Sequence, residues 1–125
     1  MPVVCDFEVV QGSSVHVGDR GGPYWSGTFN TGGRRSSGLV LIMYEHNGIQ
    51  ESDNSLWLNG KKLYNIEKSR EKGYRVDIGT FPASKLQSGS NTLEIRAAAA
   101  TPGTGRSRYD DFDMKNIVVF FHQRA

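Results

Sequence analysis

Ser55-Leu-Trp-Leu-Asn-Gly-Lys-Lys-Leu63 is the stretch on which the fold turns. Asn59-Gly60 separates two short runs of strand-compatible residues, and both central positions of a type I′ turn need positive φ, which Asn and Gly tolerate best. The reading is a two-residue β-hairpin, with Leu58 opposite Lys61, Trp57 opposite Lys62 and Leu56 opposite Leu63. Leu56 and Leu58 then share one face and Trp57 takes the other. Trp57 is either on the second side of a covered strand or exposed beside Lys62, where it would serve as a sugar platform or an interface anchor.

Outward from the hairpin, the chain continues to read as short strands between turns. Upstream, Val3 to Val10 alternates loosely and ends at the turn composition Gln11-Gly-Ser-Ser14, after which come Val15-His-Val17 and the aromatic Pro23–Phe29 run. Leu39-Val-Leu-Ile-Met-Tyr44 is apolar at every position, so periodicity alone leaves open a strand covered on both faces or a piece of buried helix. Gly38 before it and Asn47-Gly48 after it favour the strand. Downstream, Glu67-Lys-Ser-Arg-Glu-Lys72 is polar enough to be a solvated loop or one exposed helical turn. Tyr74–Ile78 alternates, Thr92–Arg96 puts Leu93 and Ile95 on one face, Thr101–Arg106 is a loop, and Ile117–Phe121 is a last strand. No segment has the length and pattern of an amphipathic helix.

The expectation is an all-β, jelly-roll antiparallel β-sandwich of about eight strands, a single domain over residues 1–125. At 125 residues the chain is large enough for one core. Fifteen glycines and four prolines suit a folded protein rich in turns.

Three further stretches join the hairpin in carrying a family likeness. Ser55–Leu63, Val76-Asp-Ile78 and Phe81-Pro-Ala-Ser-Lys-Leu-Gln-Ser-Gly-Ser-Asn-Thr-Leu-Glu-Ile95 together resemble the galactose-binding-like jelly rolls of many carbohydrate-binding modules. There an apolar strand meets an Asn-Gly hairpin, and a Leu, a Gly and an Asn precede the next strand. Leu86 would anchor the descending connection, and Gly89 would supply a backbone conformation other residues resist. Asp110–Phe121, a polar approach to a final strand, also looks like the ends of such modules. The motifs are architectural and imply sugar binding by analogy.

Candidate chemistry is sparse. His16, His46 and His122 have no metal-pair or nucleophile spacing, and the lone Cys5, in an early strand near Val4 and Phe7, reads as a buried small hydrophobe. No enzymatic activity is expected. Asp110, Asp111 and Asp113 stand close enough to suggest a hard cation, since calcium collects several oxygens. The resemblance implies a structural calcium held by acids near both chain ends, which would add Asp6 and Glu8. The competing reading has these acids capping a turn or pairing with Arg106 and Arg108.

For ligands, sugars offer polar edges and apolar faces, so a site needs aromatics beside polar side chains. One loop region runs from His16 through Asp19, Arg20, Tyr24 and Trp25 to Arg34 and Arg35, and a second holds Arg106, Arg108, Tyr109 and Asp110. At one end of a sandwich they would form a basic, aromatic-lined patch, although Trp25 is equally readable as core. The arginine pairs also suit phosphate or sulfate. A net charge of +2 argues against a nucleic-acid partner, which normally takes a broad basic face.

The first amino acids lack a basic n-region and an apolar h-region, and one cysteine forms no internal disulfide, which leans towards the cytoplasm. No apolar run approaches the roughly 20 residues of a spanning helix. The leading expectation is a non-catalytic carbohydrate-binding or lectin-like module. The alternative is a structural, assembly or protein-interaction module, such as a virion or scaffold component, without a small-molecule ligand. An oligomer is compatible with either.

Overall fold

Asn59 and Gly60 adopt φ values of 50° and 81°, and the hairpin they close forms one edge of a four-stranded sheet. The computed structural model describes residues 3–18, 22–32, 36–69, 73–100 and 108–124. In chain order the strands are β1 (Val3–Gln11), β2 (Val15–Val17), β3 (Tyr24–Asn30), β4 (Ser36–Asn47), β5 (Ser55–Leu58), β6 (Lys61–Asn65), β7 (Arg75–Pro82), β8 (Ser90–Arg96) and β9 (Phe112–Arg124). A 3-10 turn at Ala83–Lys85 follows β7. One sheet has the order β1-β9-β4-β7 with β2 added along β9, the other β3-β8-β5-β6, and every pairing is antiparallel. The molecule is a jelly-roll β-sandwich.

Alternation along each strand fills the space between the sheets. Cys5, expected to be buried, is instead exposed, because it shares the phase of Phe7 and Val9 on the outer side of β1. Val40, Ile42 and Tyr44 of β4, Phe81 of β7 and Ile117, Val119 and Phe121 of β9 meet Phe29 of β3, Leu56 and Leu58 of β5 and Leu93 and Ile95 of β8. Ile117–Phe121 is indeed a strand, but it belongs to a longer one that lies in the middle of its sheet, between β1 and β4.

The length of β9 depends on Asn116. Phe112 and Met114 are buried, and so are Ile117, Val119 and Phe121, so the two-residue period slips once between the two groups. Asn116 takes up the slip at φ 51°, donating its backbone N–H to Gly12 and its side-chain amide to Glu45. A β-bulge of this kind keeps both halves of a long strand facing one core.

The hairpin register differs from the sequence expectation at one rung. Leu58 opposes Lys61 and Trp57 opposes Lys62, but a bulge then places Leu56 opposite Tyr64 and leaves Leu63 out of register. Turn chemistry sets the first rungs and says nothing about a bulge farther along. The slip gives Tyr64 the position from which it reaches across the sandwich edge to β7, where its ring lies over Gly79.

Leu86 packs at the border of the core as expected, and Gly89 has φ 83°. Beside them Asn91 is buried and fully satisfied: its amide nitrogen donates to the carbonyls of Gln87 and Gly89, and its oxygen accepts from Gln87 N and Asn59 Nδ2. Asn59 in turn accepts the Thr92 N–H, so the hairpin turn is tied directly to β8.

Candidate functional site

The outward residues of the four-stranded sheet gather aromatic rings and charges. Because Ile95, Leu56 and Leu58 point inward, their neighbours Glu94, Arg96, Ser55 and Trp57 point out. Across the strands Tyr24 pairs with Arg96, Arg96 with Ser55, Glu94 with Trp57 and Trp57 with Lys62. The Arg96 guanidinium lies 3.6 Å above the centre of the Trp57 ring and 5.7 Å from that of Tyr24. Its Nε donates to Glu94 at 2.5 Å, and the Trp57 indole N–H donates to Ser55 Oγ at 2.8 Å. Arg96 is thus held flat by a cation–π contact and a charge-assisted hydrogen bond. Tyr24, 63% exposed, keeps an open ring face beside it.

Arg108 and Tyr109 lie beyond the end of β8. Tyr109 bridges to Ala99, just beyond β8, and the Arg108 carbonyl accepts the Ala100 N–H. Arg108 in turn leans on the Tyr109 ring at 5.8 Å.

The other sequence candidates separate. Trp25 is half-buried on the inner face of β3, against the core and over Gly27, where an added methyl would lie 2.8 Å from the indole and from Val10. Trp25 and Trp57 therefore occupy opposite faces of one sheet. Asp19, Arg20, Arg34, Arg35 and Arg106 lie outside the described residues. Gly18 and Gly22, which flank the first pair, sit at the end that carries Asp110 and Asp111, whereas Gly32, before the second pair, is bonded to Gly89 at the opposite end. β3 runs the whole length of the sheet between them.

The acidic cluster is committed to protein donors. Asp110 is buried, and its Oδ2 accepts the backbone N–H groups of Gln50 and Glu51 and the Asn54 amide at 2.8–3.0 Å. His16 stands between Asp113, 2.8 Å from Nδ1, and Asp111, 3.0 Å from Nε2. Partial burial works against its charge, but the two carboxylates outweigh it and raise its pKa above the ordinary 6.5. Glu8 lies opposite Val119, well along β9 from Asp113, and Asp6 opposite Phe121. Among the described residues no group of three acidic, histidine or cysteine side chains could hold a metal ion. This donor set does not fit a calcium cage, which needs several oxygens converging on one point.

A second polar region was not anticipated. A groove of about 530 Å3 at the β6–β7 edge is lined by Tyr44, Tyr64, Glu67, Arg75 and Asp77, among others. The Tyr44 and Tyr64 hydroxyls share a hydrogen bond at 3.0 Å, and burial pushes both phenols above their ordinary pKa. His46 joins Ser69 Oγ (2.7 Å) to Asp77 Oδ2 (2.6 Å), and Arg75 donates to both Asp77 and Glu67. Burial pushes the Asp77 carboxyl up, but bonds from His46 and Arg75 outweigh it and hold the pKa low. The serine–histidine–aspartate order resembles a nucleophile and its base. However, Ser69 Oγ also accepts the Ile49 N–H, and His46 is fully buried, so the chain braces β4 against the β6–β7 connection.

No family model matches the sequence, and no curated protein matches it. Solved structures do. A family 35 carbohydrate-binding module from Clostridium thermocellum superposes with a TM-score of 0.52 at 13% identity, over 95% of this chain and 89% of that one. A β-porphyranase of glycoside hydrolase family 86 from the human gut bacterium Bacteroides plebeius gives 0.51 at 12% identity, over 97% of this chain but 21% of the enzyme. At these identities the likeness establishes the fold, and on the fold it bears out the resemblance read from the hairpin and the Leu86–Ile95 stretch.

Proposed function

We propose that the chain is a non-catalytic carbohydrate-binding module that takes its glycan on the outer face of the four-stranded sheet, at Tyr24, Arg96, Glu94 and Trp57. The observation that carries this reading is the stacked Tyr24–Arg96–Trp57 array, in which a guanidinium seated on the Trp57 ring lies beside an exposed tyrosine ring and a carboxylate. Sugar rings stack their apolar C–H faces on aromatic rings and offer hydroxyls to fixed donors and acceptors at the edge. Tyr24 supplies the open stacking face, Arg96 the donors and Glu94 the acceptor, while Trp57 holds Arg96 in place. The shared fold with a family 35 carbohydrate-binding module supports the same reading.

Affinity electrophoresis on gels containing different soluble polysaccharides tests the proposal. At least one polysaccharide should retard the protein, and Tyr24→Ala should weaken binding about tenfold, equivalent to ~1.4 kcal/mol of lost stacking. Trp57→Ala should weaken it too, by freeing Arg96, with the circular dichroism of both variants unchanged. A panel that retards nothing, or binding indifferent to both substitutions, contradicts the proposal.

A further inference from the structure

The five-stranded sheet turns a hydrophobic face to solvent. Side chains of four strands meet there in two central rows: Phe7, Phe120, Leu41 and Thr80 in one, Val9, Val118, Met43 and Ile78 in the next. Leu39, beside Pro82, extends the face at one end and Val76, beside Glu45, at the other. Of the large apolar residues that are exposed among the described ones, all but Tyr24 lie on this face: Phe7, Val9, Leu39, Leu41, Val76 and Ile78. Phe7 is 59% exposed and Ile78 62%. With ordinary side-chain areas these six alone expose about 600 Å2 of apolar surface, at the upper end of what a monomer normally shows.

The shape of the face selects among occupants. A groove of about 380 Å3, lined by Leu39, Leu41, Met43, Ile78 and Phe120, runs across it, and a small apolar molecule would fit there. Such a molecule would leave Phe7, Val9 and Val76 in water, because they lie outside the groove. Only another broad surface covers the whole face. Neither central row contains a charged side chain, and the adjacent Glu45 and Lys115 are of opposite sign. The face therefore does not repel its own image, and a net charge of +2 offers little opposition to association.

We infer that this face is the interface of a homodimer, in which two copies stack their five-stranded sheets about a two-fold axis lying in the interface plane. The packing repeats the sheet-on-sheet contact inside each sandwich, at a separation of about 10 Å. With the half-buried Met43, Val118 and Phe120 added, each copy contributes roughly 700 Å2, within the range of about 600–1,000 Å2 per partner of a standard interface. An isologous contact of this kind closes on itself, and it removes the exposed face without masking the aromatic array on the other sheet. The inference does not depend on glycan binding.

Light scattering after size exclusion, on the full chain at about 100 µM, tests it; that concentration is far above the micromolar Kd at the weak end for interfaces of this size. The expected mass is twice 13.8 kDa. Ile78→Lys and Leu41→Glu should return it to one copy with an unchanged β-sheet circular dichroism spectrum, because both side chains point away from the core. Should either variant fail to fold, isotope-filtered NOEs between differently labelled wild-type copies should connect Ile78, Leu41 and Phe7 across the interface. A monomer at 100 µM overturns the inference, including one that takes up an apolar dye on this face. So does a dimer whose intermolecular NOEs lie elsewhere.

Discussion

At the scale of single residues, what a position does depends on what crosses it. Gly79 has an ordinary backbone conformation, yet a methyl group there would overlap the Tyr64 ring and hydroxyl. Gly79→Ala should therefore cost about 1–3 kcal/mol in chemical denaturation, by overpacking and by disturbing the Tyr44–Tyr64 bond. His16 carries a pH signature. Its folded pKa is raised by Asp113 and Asp111, so the stability it contributes is complete below the unfolded value of 6.5 and is lost as pH rises through the folded value. Melting curves of wild type and His16→Gln should differ most below pH 6.5 and converge on the alkaline side. A constant difference across that range would assign His16 a packing role. Of the residues in the proposed site, Trp57 and Tyr24 were legible as candidates from the hairpin register and from a loop that mixes aromatic and polar side chains. Arg96 and Glu94 were not, because each is unremarkable until strand pairing sets it beside an aromatic ring.

At the scale of elements, local turn chemistry was readable and departures from regular register were not. Asn59-Gly60 announces its hairpin because few other pairs hold two positive φ values. The bulge that moves Tyr64 opposite Leu56 goes with a contact between Tyr64 and Gly79 of β7, which the turn residues do not report. Asn116 is the clearer case. Asp110–Asn116 reads as a polar approach because its apolar residues, Phe112 and Met114, are out of phase with Ile117, Val119 and Phe121, and one bulged residue restores the phase. Deleting Asn116 should force one group out of the core. Since burying or exposing several large side chains is worth about 2–5 kcal/mol each, the deletion should abolish cooperative unfolding, whereas Asn116→Gly should retain it.

At the scale of the molecule, the sandwich followed from alternation and strand count, but the character of its two outer faces did not. Leu39–Tyr44 reads as apolar on both sides, and the structure puts Val40, Ile42 and Tyr44 in the core and leaves Leu39 and Leu41 exposed. Alternation says that a strand has two sides and leaves open which side meets solvent. The same limit divided the tryptophans: both lie in strands, yet Trp25 faces in and Trp57 faces out. The two outer faces thus differ in kind, one with an apolar centre free of charged side chains, the other aromatic with an arginine and a carboxylate. The chain contains two tryptophans, so its 15N spectrum offers one indole reporter for the inner face of the small sheet and one for the outer. Titration of the labelled protein with an oligosaccharide from a polysaccharide that retards it should shift the Trp57 indole peak and the Arg96 Nε–H peak and leave the Trp25 indole in place. Movement of Trp25 with Trp57 and Arg96 unchanged would contradict a glycan site on the outer face.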